Sequence, residues 1–261
     1  MADRKSHGTI VGIWQNIPSP MISRYLGLMG WQWVILDMQH GCPNTETAYE
    51  CMHVLRTAGA KPILRTSVGA PSEVQRALDL GAGGVVVPMV NSAAEAREMA
   101  RAAKYPPLGC RSMGGDAAWH YGDDYPERAN QETLLLVQVE HIDSVREVDE
   151  IMATPGVDGC FICPTDLALS MGLPRLEYEH HPVHRAAMAG TLAACHAHGK
   201  LACCNTYSLD DAQAKIAAGF DVITFKSDAD LFMSAGQALF AELRDCAGGN
   251  QPSASGAAKA R

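Results

Sequence analysis

Short apolar runs alternate with longer amphipathic segments along most of the chain. The runs are four to seven residues long and rich in aliphatic side chains, as is typical of parallel strands that are buried on both faces. Eight of them predict strands, at residues 9–14, 33–37, 62–65, 84–88, 134–140, 159–163, 201–204 and 222–225. The segments between them have apolar residues at helical spacing and predict helices at residues 45–58, 72–80, 93–103, 144–152, 184–198 and 210–218.

Repeated strand and helix units of this kind predict an α/β fold, a (β/α)8 TIM barrel. We assign residues 1–246 to this single barrel domain. Residues 247–261 are rich in Gly, Ser and Ala, and we expect them to form a disordered tail. One connection, between residues 104 and 134, is too long for an ordinary link, and we expect it to cover a site.

Charge and composition exclude several classes of function. The 261 residues include 21 Lys and Arg against 29 Asp and Glu, and the basic residues are scattered, which argues against a nucleic-acid or anionic-membrane partner. No apolar run reaches the roughly 18 residues that cross a bilayer. The nine cysteines are an odd number in a chain too large to need disulfides, so free thiols and a cytoplasmic location are expected.

Polar side chains follow several predicted strands at their carboxyl ends. In a parallel barrel these ends meet at one mouth, where catalytic groups lie. The candidates are Asp37, Gln39 and His40 after the second strand, Arg65 at the end of the third, Gln138 and Glu140 on the fifth, and Asp166 after the sixth. We therefore expect these side chains to converge.

Glu140 and Asp166 predict a divalent metal site. They are hard oxygen ligands without an adjacent pair of His or Cys, which favours Mg²⁺ or Mn²⁺, with Co²⁺ or Zn²⁺ as alternatives. Two carboxylates leave coordination positions for a 2-oxo acid, which the metal would polarise toward its enolate. Arg65 is suited to the developing oxyanion, and His40, oriented by Asp37, to proton transfer near neutral pH.

Each of these residues has a structural alternative. Asp166 alone is also typical of a helix cap, Arg65 of an ion pair with Asp37, and His40 of an exposed loop. The histidine cluster at residues 180–184 lies in a loop broken by proline and is expected to be exposed.

An ordered set of motifs resembles the HpcH/HpaI family of metal-dependent class II pyruvate aldolases, which includes 2-dehydro-3-deoxyglucarate aldolase and macrophomate synthase. The set covers residues from about 10 to 235 and is far more specific than any one fragment. Its members are S-P at 19–20, D-x-Q-H-G at 37–41, L-R-T at 64–66, R-A-L-D-L-G-A-G-G-V-V-V-P at 76–88, Y-P-P-L-G-x-R-S at 105–112, Q-V-E at 138–140, P-G-V-D-G at 155–159 and P-T-D-L-A-L-S at 164–170.

The resemblance implies roles for residues of this chain. Glu140 and Asp166 would hold the metal, and the backbone N–H groups of Thr165 and Asp166 would receive the carboxylate of pyruvate. Arg65 would contact the oxo or enolate oxygen with help from Gln138.

The resemblance also implies that His40, with Asp37 behind it, would move the proton. The implied assembly is a hexamer, a trimer of dimers that exchanges its last helix, here at residues 231–243. The long connection, at residues 109–125, would then border a neighbouring active site.

The function so implied is reversible cleavage of a 4-hydroxy-2-oxo acid to pyruvate or hydroxypyruvate and an aldehyde. A second candidate is decarboxylation of a 2-oxo acid such as oxaloacetate, or bond formation after it as in macrophomate synthase. A third is a non-catalytic barrel that binds an oxo acid.

Three positions depart from the common family pattern. Gln39 stands where an acid is usual, which removes a negative charge near the metal. Cys163 replaces a glycine beside the pyruvate site. Residues 204–206, Cys-Asn-Thr, replace apolar residues near the aldehyde and predict a polar acceptor.

Overall fold

Eight parallel strands close into a barrel in the computed structural model, which describes residues 8–41, 43–174 and 177–247. The strands are β1 (Ile10–Gln15), β2 (Trp33–Asp37), β3 (Lys61–Arg65), β4 (Gly84–Val87), β5 (Leu134–Val139), β6 (Gly159–Ile162), β7 (Leu201–Thr206) and β8 (Val222–Ser227). Each strand pairs in parallel with the next in sequence, and β8 pairs with β1. The predicted barrel and all eight strands are confirmed, with bounds that differ by at most two residues.

Helices alternate with the strands along the chain. They are α1 (Pro20–Leu28), α2 (Thr45–Thr57), α3 (Pro71–Asp79), α4 (Ala93–Ala103), α5 (Ala117–Tyr121), α6 (Tyr125–Glu132), α7 (Ile142–Arg146), α8 (Val148–Ala153), α9 (Pro164–Ser170), α10 (Pro182–Ala197), α11 (Leu209–Ala218) and α12 (Asp228–Cys246), with a 3-10 turn at Tyr178–His180. Polar caps begin four of the described helices: the side chains of Asn44, Ser92, His141 and Ser208 accept backbone N–H groups at the starts of α2, α4, α7 and α11.

The barrel interior is a packed apolar core. Side chains on one face of β2 point into the barrel interior and those on the other face lie under helices, which is why this strand, with the sequence WVILD, is buried at every position. The interior cluster consists of Trp14, Trp33, Ile35, Ile63, Val86, Leu136, Phe161, Cys163, Cys203 and Val222. Polar side chains are therefore concentrated where the strands end, at the carboxyl mouth.

The long connection between α4 and β5 lies at the opposite end of the barrel from this mouth. Its backbone N–H at Asp116 donates to the carbonyl of Asp79 at 2.9 Å, and Tyr121 Oη donates to the carbonyl of Gly81 at 2.9 Å, just before β4 begins. The segment therefore does not cover the mouth of its own barrel, and the expectation that it covers a site stays a prediction. A connection that leads from a helix into a strand reaches the amino end of that strand, away from the catalytic end. Its position beside a neighbouring subunit stays a prediction.

The chain divides into two compact units, residues 1–228 and 229–261. The described part of the second unit, residues 229–247, continues α12. The predicted disordered tail lies outside the described residues from 248 onward. The assignment of residues 1–246 to one domain and the exchange of the last helix between subunits stay predictions. Within the described ranges, no helix combines the length and the apolar character that a membrane span requires.

Candidate active site

Arg65 and Asp37 form a bidentate ion pair at the mouth of the barrel. They are the last residues of β3 and β2 and lie opposite each other in the strand register. Arg65 Nε donates to Asp37 Oδ1 at 2.9 Å and Nη2 to Oδ2 at 2.6 Å, and both side chains are buried. The ion-pair alternative from the sequence is thus confirmed. Because the pair uses Nε and Nη2, it fixes the plane of the guanidinium and leaves Nη1 for other partners.

The aromatic ring of Trp14 supports the same guanidinium. Arg65 Cζ lies 4.4 Å from the centre of the indole ring, within the range of a cation–π contact. Trp14 Nε1 donates in turn to Asn205 Oδ1 at 2.6 Å and to Thr224 Oγ1 at 3.0 Å. The sequence analysis did not identify Trp14, because no motif marks which of the four tryptophans faces the arginine.

Asp37 also organises the turn that follows β2. Its Oδ1 accepts the backbone N–H groups of Gln39 and His40, each at 3.0 Å. A side chain at Gly41 would collide with the carbonyl of Asp37, which explains the glycine that closes the turn. These bonds hold the backbone of His40, whose side chain is exposed. The proposed role of Asp37 in orienting the imidazole stays a prediction.

The charge of Asp37 is stabilised despite its burial. Burial alone would raise the pKa of this carboxyl, but the hydrogen bond and charge of Arg65 oppose it, as do the N–H groups of His40 and Gln39. The pKa of Asp37 therefore lies below its ordinary value, and the carboxylate stays ionised beside Arg65 at neutral pH.

Glu140 lies directly after β5 and is almost fully buried. Its Oε1 accepts the backbone N–H of Met89 at 2.8 Å, and its Oε2 accepts Gln138 Nε2 at 2.5 Å. Burial raises the pKa of Glu140, and the charge of Asp166 adds to this effect, against the lowering influence of Met89, Arg65 and Gln138. An unpaired buried carboxylate of this kind gains from a cation, so the site fits a divalent metal.

Met89 was not found from the sequence. It has a positive φ of 54°, which is uncommon for a residue with a side chain and costs about 1–3 kcal/mol. This conformation accompanies the N–H bond from Met89 to the Glu140 carboxylate. No residue type signals such a backbone bond, because any non-proline residue carries an N–H.

Three candidate metal ligands come together at the mouth. One oxygen of Glu140, one oxygen of Asp166 and Cys163 Sγ all lie within 4.8 Å of one another. Glu140 and Asp166 are the pair predicted from the sequence, whereas Cys163 was predicted only as a larger neighbour of the pyruvate site. The geometry of these donors agrees with the metal expected from their chemistry.

Asp166 lies in the first turn of α9, and its side chain is exposed at the mouth. The helix cap is Cys163, without a side-chain cap bond, so the alternative in which Asp166 caps the helix is wrong. Pro164, the first helical residue, has no N–H, and the next N–H groups belong to Thr165 and Asp166. The start of α9 therefore supports the predicted carboxylate contacts.

The hydroxyl of Thr165 belongs to a cluster that sequence reasoning missed. Thr165 Oγ1 lies 3.1 Å from Tyr178 Oη and donates to Tyr207 Oη at 3.3 Å. Tyr178 is buried, whereas Tyr207 is 43% exposed and follows the carboxyl end of β7. Tyr207 is thus a polar aromatic residue at the mouth, one position beyond the segment singled out from the sequence.

The predicted exposure of the histidine cluster at residues 180–184 is wrong for His184. This residue is buried on α10, and its Nε2 lies 3.0 Å from the carbonyl oxygen of Pro164. Burial lowers the pKa of His184, which favours the neutral ring. Helical periodicity in α10 turns His184 inward, behind the turn that carries Thr165.

Known proteins match nearly the whole chain. The family model described as HpcH/HpaI aldolase/citrate lyase matches residues 11–235. A hydroxypyruvate/pyruvate aldolase of Rhizorhabdus wittichii is 34% identical over 233 residues, which cover 88% of this chain and 92% of that protein. A 2-keto-3-deoxy-L-rhamnonate aldolase of Klebsiella pneumoniae is 31% identical over 234 residues, which cover 87% and 86%. The crystal structure of an HpcH/HpaI aldolase/citrate lyase family protein from Burkholderia cenocepacia matches with a TM-score of 0.84 at 30% identity and covers 91% of this chain and 95% of that one.

Proposed function

Because the chain belongs to the HpcH/HpaI aldolase/citrate lyase family, we propose that it reversibly cleaves a 4-hydroxy-2-oxo acid to pyruvate or hydroxypyruvate and an aldehyde. It is a class II aldolase, an aldehyde-lyase. The observation that carries the substrate proposal is the meeting of Arg65 with the carboxylates of Glu140 and Asp166 at one mouth of the barrel. This combination suits an anionic 2-oxo acid whose oxo oxygen gains negative charge during the reaction.

Glu140 and Asp166 would hold the divalent metal, with Mg²⁺ or Mn²⁺ as the first candidates and Co²⁺ or Zn²⁺ as alternatives. When bound, the metal supplies Lewis-acid polarisation of the 2-oxo group. The buried amide of Gln138 holds Glu140 in place through its 2.5 Å hydrogen bond and would assist at the substrate oxygen.

Arg65 would stabilise the negative charge that develops on the oxo oxygen. Its guanidinium is already oriented by Asp37 and Trp14, so little reorganisation is needed during the reaction. The N–H groups of Thr165 and Asp166 would receive the substrate carboxylate. His40, on the turn held by Asp37, would exchange the proton with the 4-hydroxyl group or the incoming aldehyde oxygen.

We also propose that the enzyme is cytoplasmic and assembles as a hexamer, a trimer of dimers. Exposed apolar residues on α12, among them Phe232 at 72% and Phe240 at 68% exposure, support an interface on this helix.

The central test is exchange of the C3 protons of pyruvate in deuterated water, followed by NMR. Protein stripped with EDTA is expected to show only background exchange. Added Mg²⁺ or Mn²⁺ is expected to raise the exchange rate above this background, because enolate formation requires the polarised oxo group. The assay needs no knowledge of the aldehyde. Absence of metal-dependent exchange with both pyruvate and hydroxypyruvate, in protein shown to bind the metal, would contradict the proposal.

Tyr207 is expected to favour hydroxylated aldehydes. Its hydroxyl lies at the mouth, 3.3 Å from Thr165 Oγ1, and is positioned to share a hydrogen bond with a polar acceptor. In Tyr207→Phe, we expect the ratio of kcat/KM for glycolaldehyde to kcat/KM for propanal to fall about 3- to 10-fold, as the loss of one hydrogen bond implies. The matched variant is Tyr178→Phe, since Tyr178 contacts the same threonine from a buried position. An equal change in both variants would indicate a general effect on α9.

A further inference from the structure

Cys163 brings a thiol into a site whose predicted ligands are carboxylates. It follows β6 directly and caps α9, and its side chain is 1% exposed inside the barrel. The resemblance leads us to expect a glycine at this position, which would have no ligand to offer. Among the described residues, the group formed by Glu140, Cys163 and Asp166 brings three candidate metal ligands together.

The separations within this group are close to those of a common coordination sphere. Zinc binds thiolate sulfur at about 2.3 Å and carboxylate oxygen at about 2.0–2.2 Å, so a sulfur and an oxygen on one tetrahedral ion lie about 3.6 Å apart. The three candidate atoms lie within 4.8 Å of one another without an ion. Side-chain adjustments on the order of 1 Å would bring all three onto the same ion.

Gln138 joins the thiol to one of the carboxylates. Its Nε2 donates both to Glu140 Oε2 at 2.5 Å and to Cys163 Sγ at 2.8 Å, so a single amide holds both atoms on one side of the site. The residue is fully buried, and its Oε1 has no hydrogen-bond partner in the described part of the chain. A buried amide oxygen without a partner is costly, so the Gln138 amide gains from a further polar or cationic group in this site.

We infer that Cys163 is a third protein ligand for soft divalent ions, which makes this a mixed oxygen and sulfur site. The inference rests on the proposed metal site, and it adds a preference that the two carboxylates alone would not give. Thiolate sulfur favours Zn²⁺, Co²⁺ and Cd²⁺ over Mg²⁺. When such an ion binds, the S–H bond breaks, sulfur keeps the electron pair and donates it to the ion, and the proton leaves to solvent. Mg²⁺ would bind through the oxygen ligands without recruiting the thiol.

Cobalt gives a direct test, because sulfur bound to Co²⁺ produces a charge-transfer band in the near ultraviolet that oxygen ligands do not. The full-length protein is stripped with EDTA and titrated with Co²⁺. The wild type is expected to develop this band at one equivalent, whereas Cys163→Ser and Cys163→Gly are expected to lack it. Cys203→Ser is the matched control, because Cys203 is a buried thiol of the same interior cluster and is expected to leave the band in place.

Metal selectivity provides the second readout. By competition titration, we expect Cys163→Gly to lose at least about 10-fold in affinity for Zn²⁺ or Cd²⁺ while its affinity for Mg²⁺ changes less than about 2-fold. A band that persists in both Cys163 variants, or a wild type that binds Co²⁺ without a band, would overturn the inference. Neither result would touch the aldolase proposal, which depends on pyruvate exchange with Mg²⁺ in the wild-type protein. An equal loss of Mg²⁺ and Zn²⁺ affinity in Cys163→Gly would also overturn the inference on Cys163, because such a loss would show that this residue has a structural role.

Discussion

Replacement of Arg65 by lysine is expected to slow metal-dependent C3 exchange of pyruvate by about 10²- to 10³-fold, the usual cost of removing one preorganised oxyanion donor. Lysine keeps the positive charge beside Asp37 but has no planar fork. It can pair with one carboxylate oxygen, whereas Arg65 pairs with both through Nε and Nη2. The effect should appear in kcat, because the negative charge that Arg65 meets develops during the reaction.

Lysine is preferable to alanine as the main test. Arg65→Ala is also expected to abolish exchange, but it leaves the buried Asp37 carboxylate without its partner, and breaking such a pair costs about 3–5 kcal/mol of stability. Arg65→Lys avoids that unpaired charge. Circular dichroism and thermal unfolding then verify that the barrel is intact.

The matched control is Arg128→Lys. Arg128 also makes ion pairs with acidic side chains, Asp124 and Glu132, but on α6 at the opposite end of the barrel. We expect it to keep wild-type exchange. Wild-type exchange in a folded Arg65→Lys protein with bound metal would contradict the role assigned to the guanidinium.

The barrel was predictable because its signal is local and repeated. The strands, such as WVILD at Trp33–Asp37, are short and mostly apolar, and eight such units leave few other topologies. The pairing of Arg65 with Asp37 also follows, since both end adjacent strands. Small elements were harder: the helix predicted at residues 144–152 is two helices, which meet at Glu147.

Features that depend on three-dimensional approach could not be predicted. Trp14 is on β1 and Arg65 is on β3, so β2 lies between the two strands. Their side chains nevertheless make contact, which depends on the tilt of the strands in the barrel. Met89 acts through its backbone, which carries no residue-specific signal. The location of the long connection was predictable in principle, because it leads from a helix into a strand, but the sequence analysis considered only its length and composition. Topology was the more reliable guide in this case.

Replacement of Glu140 by glutamine should separate metal binding from stability. We expect affinity for Mg²⁺ or Mn²⁺ to fall by at least about 100-fold, because even changes to groups that only support a ligand cost 10- to 100-fold. Exchange of pyruvate should fall to background. The metal-free variant should nevertheless be at least as stable at pH 7 as the metal-free wild type, because a neutral amide replaces a buried carboxylate. Its Oε1 can still accept the N–H of Met89, and Gln138 can rotate to offer its unpaired Oε1 to the new amide.

The pH dependence of stability provides a further check on the same carboxylate. The pKa of Glu140 is raised in the folded protein, first by burial, so the protonated form is the one that folding favours. Its contribution to the free energy of unfolding is complete below the ordinary value of 4.5 and is lost as the pH rises through the raised folded value. The advantage of Glu140→Gln in the absence of metal should therefore be present at pH 7 and shrink as the pH falls. Thermal unfolding across this range, with and without metal, measures both effects.

Glu132→Gln, at an exposed glutamate on α6, is expected to keep the metal-induced rise in Tm, while Glu140→Gln loses it. A metal-induced rise in Tm that survives in Glu140→Gln would show that the ion binds elsewhere.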